Sequence, residues 1–104
     1  MARRIANVFG LSDDELGELF GGPRETGAGW LDTGFPADRR PKATAILAIA
    51  ELLAHYLQED RIAEIVRRPA EAYGGRTMLR MIAAGEYEDL LDRVRGSVDF
   101  GTTA

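Results

Sequence analysis

The chain predicts an all-α fold, and three observations carry that prediction. No segment sustains the period-2 alternation of a half-buried strand. Alanine, leucine and glutamate dominate the stretches between glycine and proline breaks. Within those stretches apolar residues recur three and four positions apart, which places them on one side of a helix. With 104 residues, of which 45% are hydrophobic, the chain is long enough for one domain with a modest core and too apolar for compositional disorder.

The elements follow in order. Residues 3–9 predict a short first helix with Ile5, Val8 and Phe9 on one face. Ser12 is a good N-cap, Asp13, Asp14 and Glu15 suit the positive end of the helix dipole, and Glu15 three residues after Ser12 makes a capping box. Leu16, Leu19 and Phe20 then form an apolar stripe, and Gly21-Gly22-Pro23 ends the helix. A third helix is predicted over residues 24–32, anchored by Trp30 and Leu31, although Gly27 and Gly29 each cost it about 1 kcal/mol relative to alanine. "PADRRPK" is a polar connector. Residues 41–57 predict the longest helix, whose wide apolar arc implies burial on two sides: a central helix or a dimer interface. Asp60 is expected to cap a short helix that Pro69 closes. "EAYGGRT" reads as a loop, Thr77 as the N-cap of "MLRMIAAG", and Gly85 as its C-terminal cap. The last helix, "EYEDLLDRVRG", is expected to end at Gly96, with "SVDFGTTA" as an extended, mobile tail. The implied division is a helix-turn-helix region over 1–40 and a unit over 41–104 holding the central helix, the later helices and the tail.

Composition excludes several functions. The chain has no cysteine, so disulfides, thiolate zinc sites and cysteine nucleophiles are out. "MARRIANVFG" is too short and too polar for a signal peptide. "ATAILAIAELLAHYL" contains Glu51 and His55 and falls short of the roughly 20 apolar residues of a membrane span. A soluble, cytoplasmic protein is the expectation. The net charge is −4, whereas most stand-alone DNA binders carry a basic balance or a basic face. Any DNA contact would therefore use local positive charge: Arg3, Arg4 and Arg24, then Arg39, Arg40 and Lys42.

Catalytic chemistry has little to work with. His55 is the single histidine and lies on the most apolar helix, where a packed or half-exposed ring is the simpler reading. Metal sites need several convergent ligands, which one histidine without cysteine does not provide. "GGPRETG" and "YGGRT" match neither phosphate-cradling glycine motif. The chain is expected to be no enzyme and to need no cofactor or metal.

"LSDDELGELFGGPRETGAGWLDTG" fits the spacing of a helix-turn-helix, with a plain helical hairpin as the alternative. In the first case Arg24, Glu25 and Thr26 open the recognition helix, where Arg24 could pair with guanine. Gly27 and Ala28 then allow either a close backbone approach to DNA or close helix packing. Together with "RIAEIVRRPAEAYGGRTMLRMIAAGEYEDLLDRV", the chain resembles the Xre/MbcA/ParS-type antitoxins over about residues 11–100. The family pattern of short helix, proline, "GGRT" loop, glycine and amphipathic helix is met at 61–96, with Met78 where a proline is usual.

The resemblance implies an Xre-like helix-turn-helix, a long central helix and a small helical toxin-binding module. It implies an antitoxin of a type II toxin–antitoxin system, usually dimeric, whose C-terminal region blocks the active site of a RES-domain, NAD-consuming toxin. It also implies binding to its own promoter. Carried over, toxin contact falls on Arg76, Tyr87, Asp99 and Phe100, and DNA contact on Arg24, Glu25, Thr26, Arg39 and Arg40. Phe100 would be an apolar anchor and Asp99 a partner for a phosphate-holding arginine. Alternatively, Phe100 folds back on the chain's own core and Tyr87 is a partly buried helix residue. The competing reading of the whole chain is a stand-alone helix-turn-helix transcriptional regulator of phage or plasmid type.

Overall fold

The structure, a computed structural model, describes residues 1–20 and 26–103, apart from the side chains at 26, 28, 32, 33 and 97–103. The described residues are helical in the main, with one isolated antiparallel bridge between Ala70 and Arg76. The all-α expectation is met.

Helix α1 (Ala2–Phe9) buries Ile5, Val8 and Phe9. It stops at Gly10, whose φ of 66° lets the Leu11 amide turn back to the Ala6 carbonyl at 2.8 Å. Helix α2 (Asp13–Leu19) opens on the capping box: the Glu15 amide donates to Ser12 Oγ at 3.2 Å, and the Ser12 amide to Glu15 Oε1 at 3.0 Å. Its buried Leu16 and Leu19, with Phe20, face the core. Helix α3 (Thr26–Thr33) packs on α2. Gly27 lies at that crossing, where an added Cβ would stand 1.8 Å from the Asp13 carbonyl oxygen. Of the two roles open to this glycine, close helix packing is the one the structure contains.

A 3₁₀ turn over Ala37–Arg39 leads into α4 (Arg40–Tyr56), with Pro41 in the first turn, where a missing amide hydrogen costs nothing. Helix α4 buries Ala43, Ile46, Ile49, Ala50 and Leu53, and meets α1 and α7 as well as α5. It is the central helix that its wide apolar arc implies. Tyr56 and Leu57, 47% and 37% exposed, continue that arc to the surface.

Helix α5 (Glu59–Ile65) begins at Gln58, which makes no side-chain cap bond. Asp60 lies inside the first turn rather than capping it, a correction to the expected boundary. An acidic residue there still complements the helix dipole. Gly74 and Gly75, with φ of 67° and 79°, close the loop that returns the chain to Ala70. Helix α6 (Met78–Ala83) is capped by Thr77, whose Oγ1 accepts from the Arg80 amide at 3.0 Å. Met78 takes the first helical position and is buried. Gly85, with φ of 87°, ends α6: its amide donates to Ile82 and the Glu86 amide to Met81, the paired bonds of a Schellman motif.

Helix α7 (Tyr87–Thr103) does not stop at Gly96. The expected extended tail is replaced by continuous helix. A glycine inside a helix costs about 1 kcal/mol but keeps its amide hydrogen. With neither a proline nor a left-handed turn behind it, it is a weak point and not a terminator. The last buried side chain described in α7 is Val94.

Candidate functional site: the α6–α7 surface and the α2–α4 cations

The loop before α6 and the start of α7 are tied by one ion pair. Arg76 Nε donates to the Tyr73 carbonyl at 3.1 Å, and its Nη2 donates to Glu86 Oε1 at 3.0 Å. Its Nη1 meets the other Glu86 oxygen, which completes a two-pronged contact. Glu86 is the residue just before α7, so the pair fixes loop 70–76 against the α6–α7 corner. The Arg76 hydrogen bond holds the Glu86 carboxyl below its ordinary value of 4.5. A second clasp lies one turn on: Arg93 donates to Asp89 Oδ2 at 3.1 Å and to the Ala72 carbonyl at 2.6 Å. An open hollow of about 410 Å³ borders the loop, lined by Gly75, Arg76, Thr77 and Arg80.

The structure brings two of the four predicted toxin contacts together. Arg76 and Tyr87 flank Glu86, and both are half-buried. Tyr87 packs against the core with its ring 5.7 Å from Lys42 Nζ. Asp99 and Phe100 lie on the α7 backbone, 12 and 13 residues beyond Tyr87, which is about 18–20 Å along the axis at 1.5 Å per residue. Arg76 and Tyr87 therefore lie at the base of α7, and the backbone of positions 99 and 100 near its far end. The side chains of Asp99 and Phe100 are outside the described residues, as are Arg24 and Glu25 altogether and the side chain of Thr26.

The cations expected to face DNA are largely committed within the fold. Arg39 Nη1 donates to the Phe20 carbonyl at 3.2 Å, and Lys42 Nζ to the Leu19 carbonyl at 2.9 Å. Both satisfy carbonyls at the end of α2, where positive charge is favoured. Arg40 is exposed. Arg4 pairs with Glu51 at 2.6 Å and Glu59 at 3.2 Å, joining α1 to α4 and α5. His55 is exposed, with its ring edge-on to Tyr56 at 4.7 Å. It borders an open cleft shared with Arg4, Glu51, Leu52 and Glu59.

One residue with a central structural part has no signal in the sequence. Arg67, just past α5, donates to the carbonyls of Phe9 and Ala63 at 2.8 Å each and of Gly10 at 2.9 Å. It also donates to Glu15 Oε2 at 3.0 Å. It thereby caps α1, orders the end of α5 and braces the α2 capping box. Its partners at 9, 10 and 15 are more than 50 positions away, beyond the reach of local pattern.

Among the described residues no helix is long and apolar enough to cross a membrane. Compared with known proteins, the chain matches no family model, no curated protein and no solved structure.

Proposed function

We propose that this chain is the antitoxin of a type II toxin–antitoxin pair, a non-catalytic protein that neutralises a RES-domain, NAD-consuming toxin by seating its C-terminal region over the toxin's active site. The observation that carries the reading is the form of α7. The helix continues from Val94, its last described core residue, to Thr103. Those nine further residues span about 14 Å. Its base is braced by the Arg76–Glu86 and Arg93–Asp89 pairs. A helical arm on a fixed base suits insertion into a cleft, because less conformational freedom is lost on binding than for a loose tail. The order short helix, proline, "GGRT" loop, α6, glycine, α7 is the order of the family's toxin-binding module, which the chain resembles at 61–96.

In this reading Arg76 shapes the contact surface through Glu86, Tyr87 sits at its near end, and Asp99 and Phe100 belong to the inserted arm. A homodimer is part of the proposal, with Tyr56 and Leu57 as its exposed apolar candidates. Operator binding through α2 and α3 is a further part, resting on Arg40 and the residues around Arg24. With Arg39 and Lys42 engaged at the end of α2, that binding is expected to be weak and salt-sensitive.

The reading expects a RES-type toxin gene beside the one for this chain, and co-expression of the two tests it. The full chain should rescue growth and co-purify with the toxin, and a chain ending at Gly96 should do neither. Rescue by the truncated chain would overturn the arm. A gel shift with the upstream DNA at two salt concentrations tests the other half. Specific DNA binding together with failure to rescue growth and to co-purify a toxin would favour the stand-alone regulator instead.

A further inference from the structure

Lys42 is the single lysine of the chain, and three elements meet at its ammonium. Its Nζ donates to the Leu19 carbonyl at the end of α2 at 2.9 Å. It lies 5.3 Å from the centroid of the Phe20 ring and 5.7 Å from that of Tyr87, the first residue of α7. Both separations are within the range of cation–ring attraction. The contact continues beyond Phe20, which meets Trp30 of α3 edge-on at 5.4 Å and Phe35 at 4.7 Å. Burial, and secondarily the neighbouring Arg39, holds the Lys42 amine below its ordinary value. That is the behaviour of a cation that has exchanged water for ring faces and a carbonyl.

The geometry points to Lys42 as the coupling element between the α7 surface at Tyr87 and the α2–α3 unit. Displacing the Tyr87 ring rehydrates the ammonium and weakens its hold on Leu19 and Phe20. The Phe20 ring is also the packing partner of Trp30. A partner seated on Tyr87 therefore changes the aromatic cluster of α3, and a ligand that fixes α2 and α3 changes affinity at Tyr87 by the same factor. The use of this coupling in toxin regulation rests on the proposed function. The coupling itself is a property of the isolated chain.

The test uses the full chain without partner. Trp30 is the single tryptophan, so its fluorescence reports on its packing against Phe20 and Phe35. Tyr87→Ala should shift Trp30 emission and its quenching by acrylamide, and the same change in a Lys42→Met background should leave both unmoved. In urea titrations the effect of the double variant on the unfolding constant should differ from the product of the single effects by at least about threefold. Equal Trp30 responses in the two backgrounds, with effects that multiply, would overturn the coupling. Should Lys42→Met not fold, acylation of the Lys42 amine by an N-hydroxysuccinimide acetate reagent, read by peptide mass, needs only the Tyr87 variant. Tyr87→Ala should raise the rate about fivefold, and an unchanged rate would contradict the claim. Loss of toxin rescue alongside intact coupling would count against the proposed function and leave this inference standing.

Discussion

Gly27 and Asp13 are in backbone contact where α3 crosses α2: a methyl group at position 27 would fall 1.8 Å from the Asp13 carbonyl oxygen and 3.0 Å from the Gly17 amide nitrogen. Neither neighbour is a flexible side chain that can swing away. Gly27→Ala must therefore push α3 off α2, and a loss of about 2 kcal/mol or more is expected. Gly29 is the control, since nothing lies within 4 Å of its added Cβ. Gly29→Ala should stabilise by up to about 1 kcal/mol through helix propensity. Thermal melts of the two variants should move in opposite directions, by several degrees each. Two shifts of the same sign would refute the crossing.

Arg67→Met removes donors from three carbonyls and from Glu15 while keeping much of the aliphatic bulk. The orphaned carbonyls of Phe9 and Gly10 sit at the end of α1, so the loss should reach about 2 kcal/mol. Lys at this position should recover only part, because an ammonium cannot serve several divergent acceptors in a fixed plane. Urea denaturation of both variants measures this. Full stability in Arg67→Met would mean that the contacts are incidental.

Acid should weaken the same corner. Hydrogen bonding to the Ser12 amide, and then to Arg67, holds the Glu15 carboxyl below its ordinary value of 4.5. A carboxylate lowered in the folded state contributes its stability above the unfolded value, and loses it as pH falls through the lower folded value. Glu86, lowered by Arg76, acts in the same direction. Stability should therefore be flat above pH 4.5 as far as these two groups are concerned, and should fall below it. Glu15→Gln keeps the capping-box acceptor but not the charge. It should be less stable than the parent at neutral pH and show a shallower acid slope. Parallel pH profiles for the two proteins would count against Glu15 as a source of that slope.

The Arg76–Glu86 pair predicts a reciprocal effect. Arg76→Glu places two carboxylates together and should loosen loop 70–76. The double reversal Arg76→Glu/Glu86→Arg should tighten it again. The Gly75 amide, which donates to the Ala70 carbonyl at 3.0 Å, is the probe. Its hydrogen exchange should quicken in the single variant and slow again in the double. An exchange rate indifferent to both changes would detach the loop from the ion pair.

What was legible in the residues is what is local. Ser12 with Glu15, Thr77 before α6, and Gly85 after it each depend on partners no more than five positions away, and all three appear where the pattern places them. The wide apolar arc of α4 left a central helix and a dimer interface both open; its packing on α1 and α7, with Thr44, Glu51 and His55 on the exposed side, came from the structure. Contacts across long separations were not readable. Nothing near position 67 announces Phe9, 58 residues back. Nothing in "GPRETGAG" tells a glycine pressed on a helix from one facing DNA. Gly96 misled because a glycine punctuates a helix only where the chain also turns left-handed. Of the candidate site, Arg76 is tied to Glu86, the residue before Tyr87, whereas positions 99 and 100 lie 12 and 13 residues further along α7. The engagement of Arg39 and Lys42 with the end of α2 came only from the structure.

NAD consumption by a RES-domain toxin of the kind proposed as partner, titrated with the full chain and with a chain ending at Gly96, tests the central claim most directly. The full chain should abolish turnover at a fixed stoichiometry, and the shortened chain should leave it close to the uninhibited rate. Undiminished turnover in the presence of excess full-length chain would contradict the account.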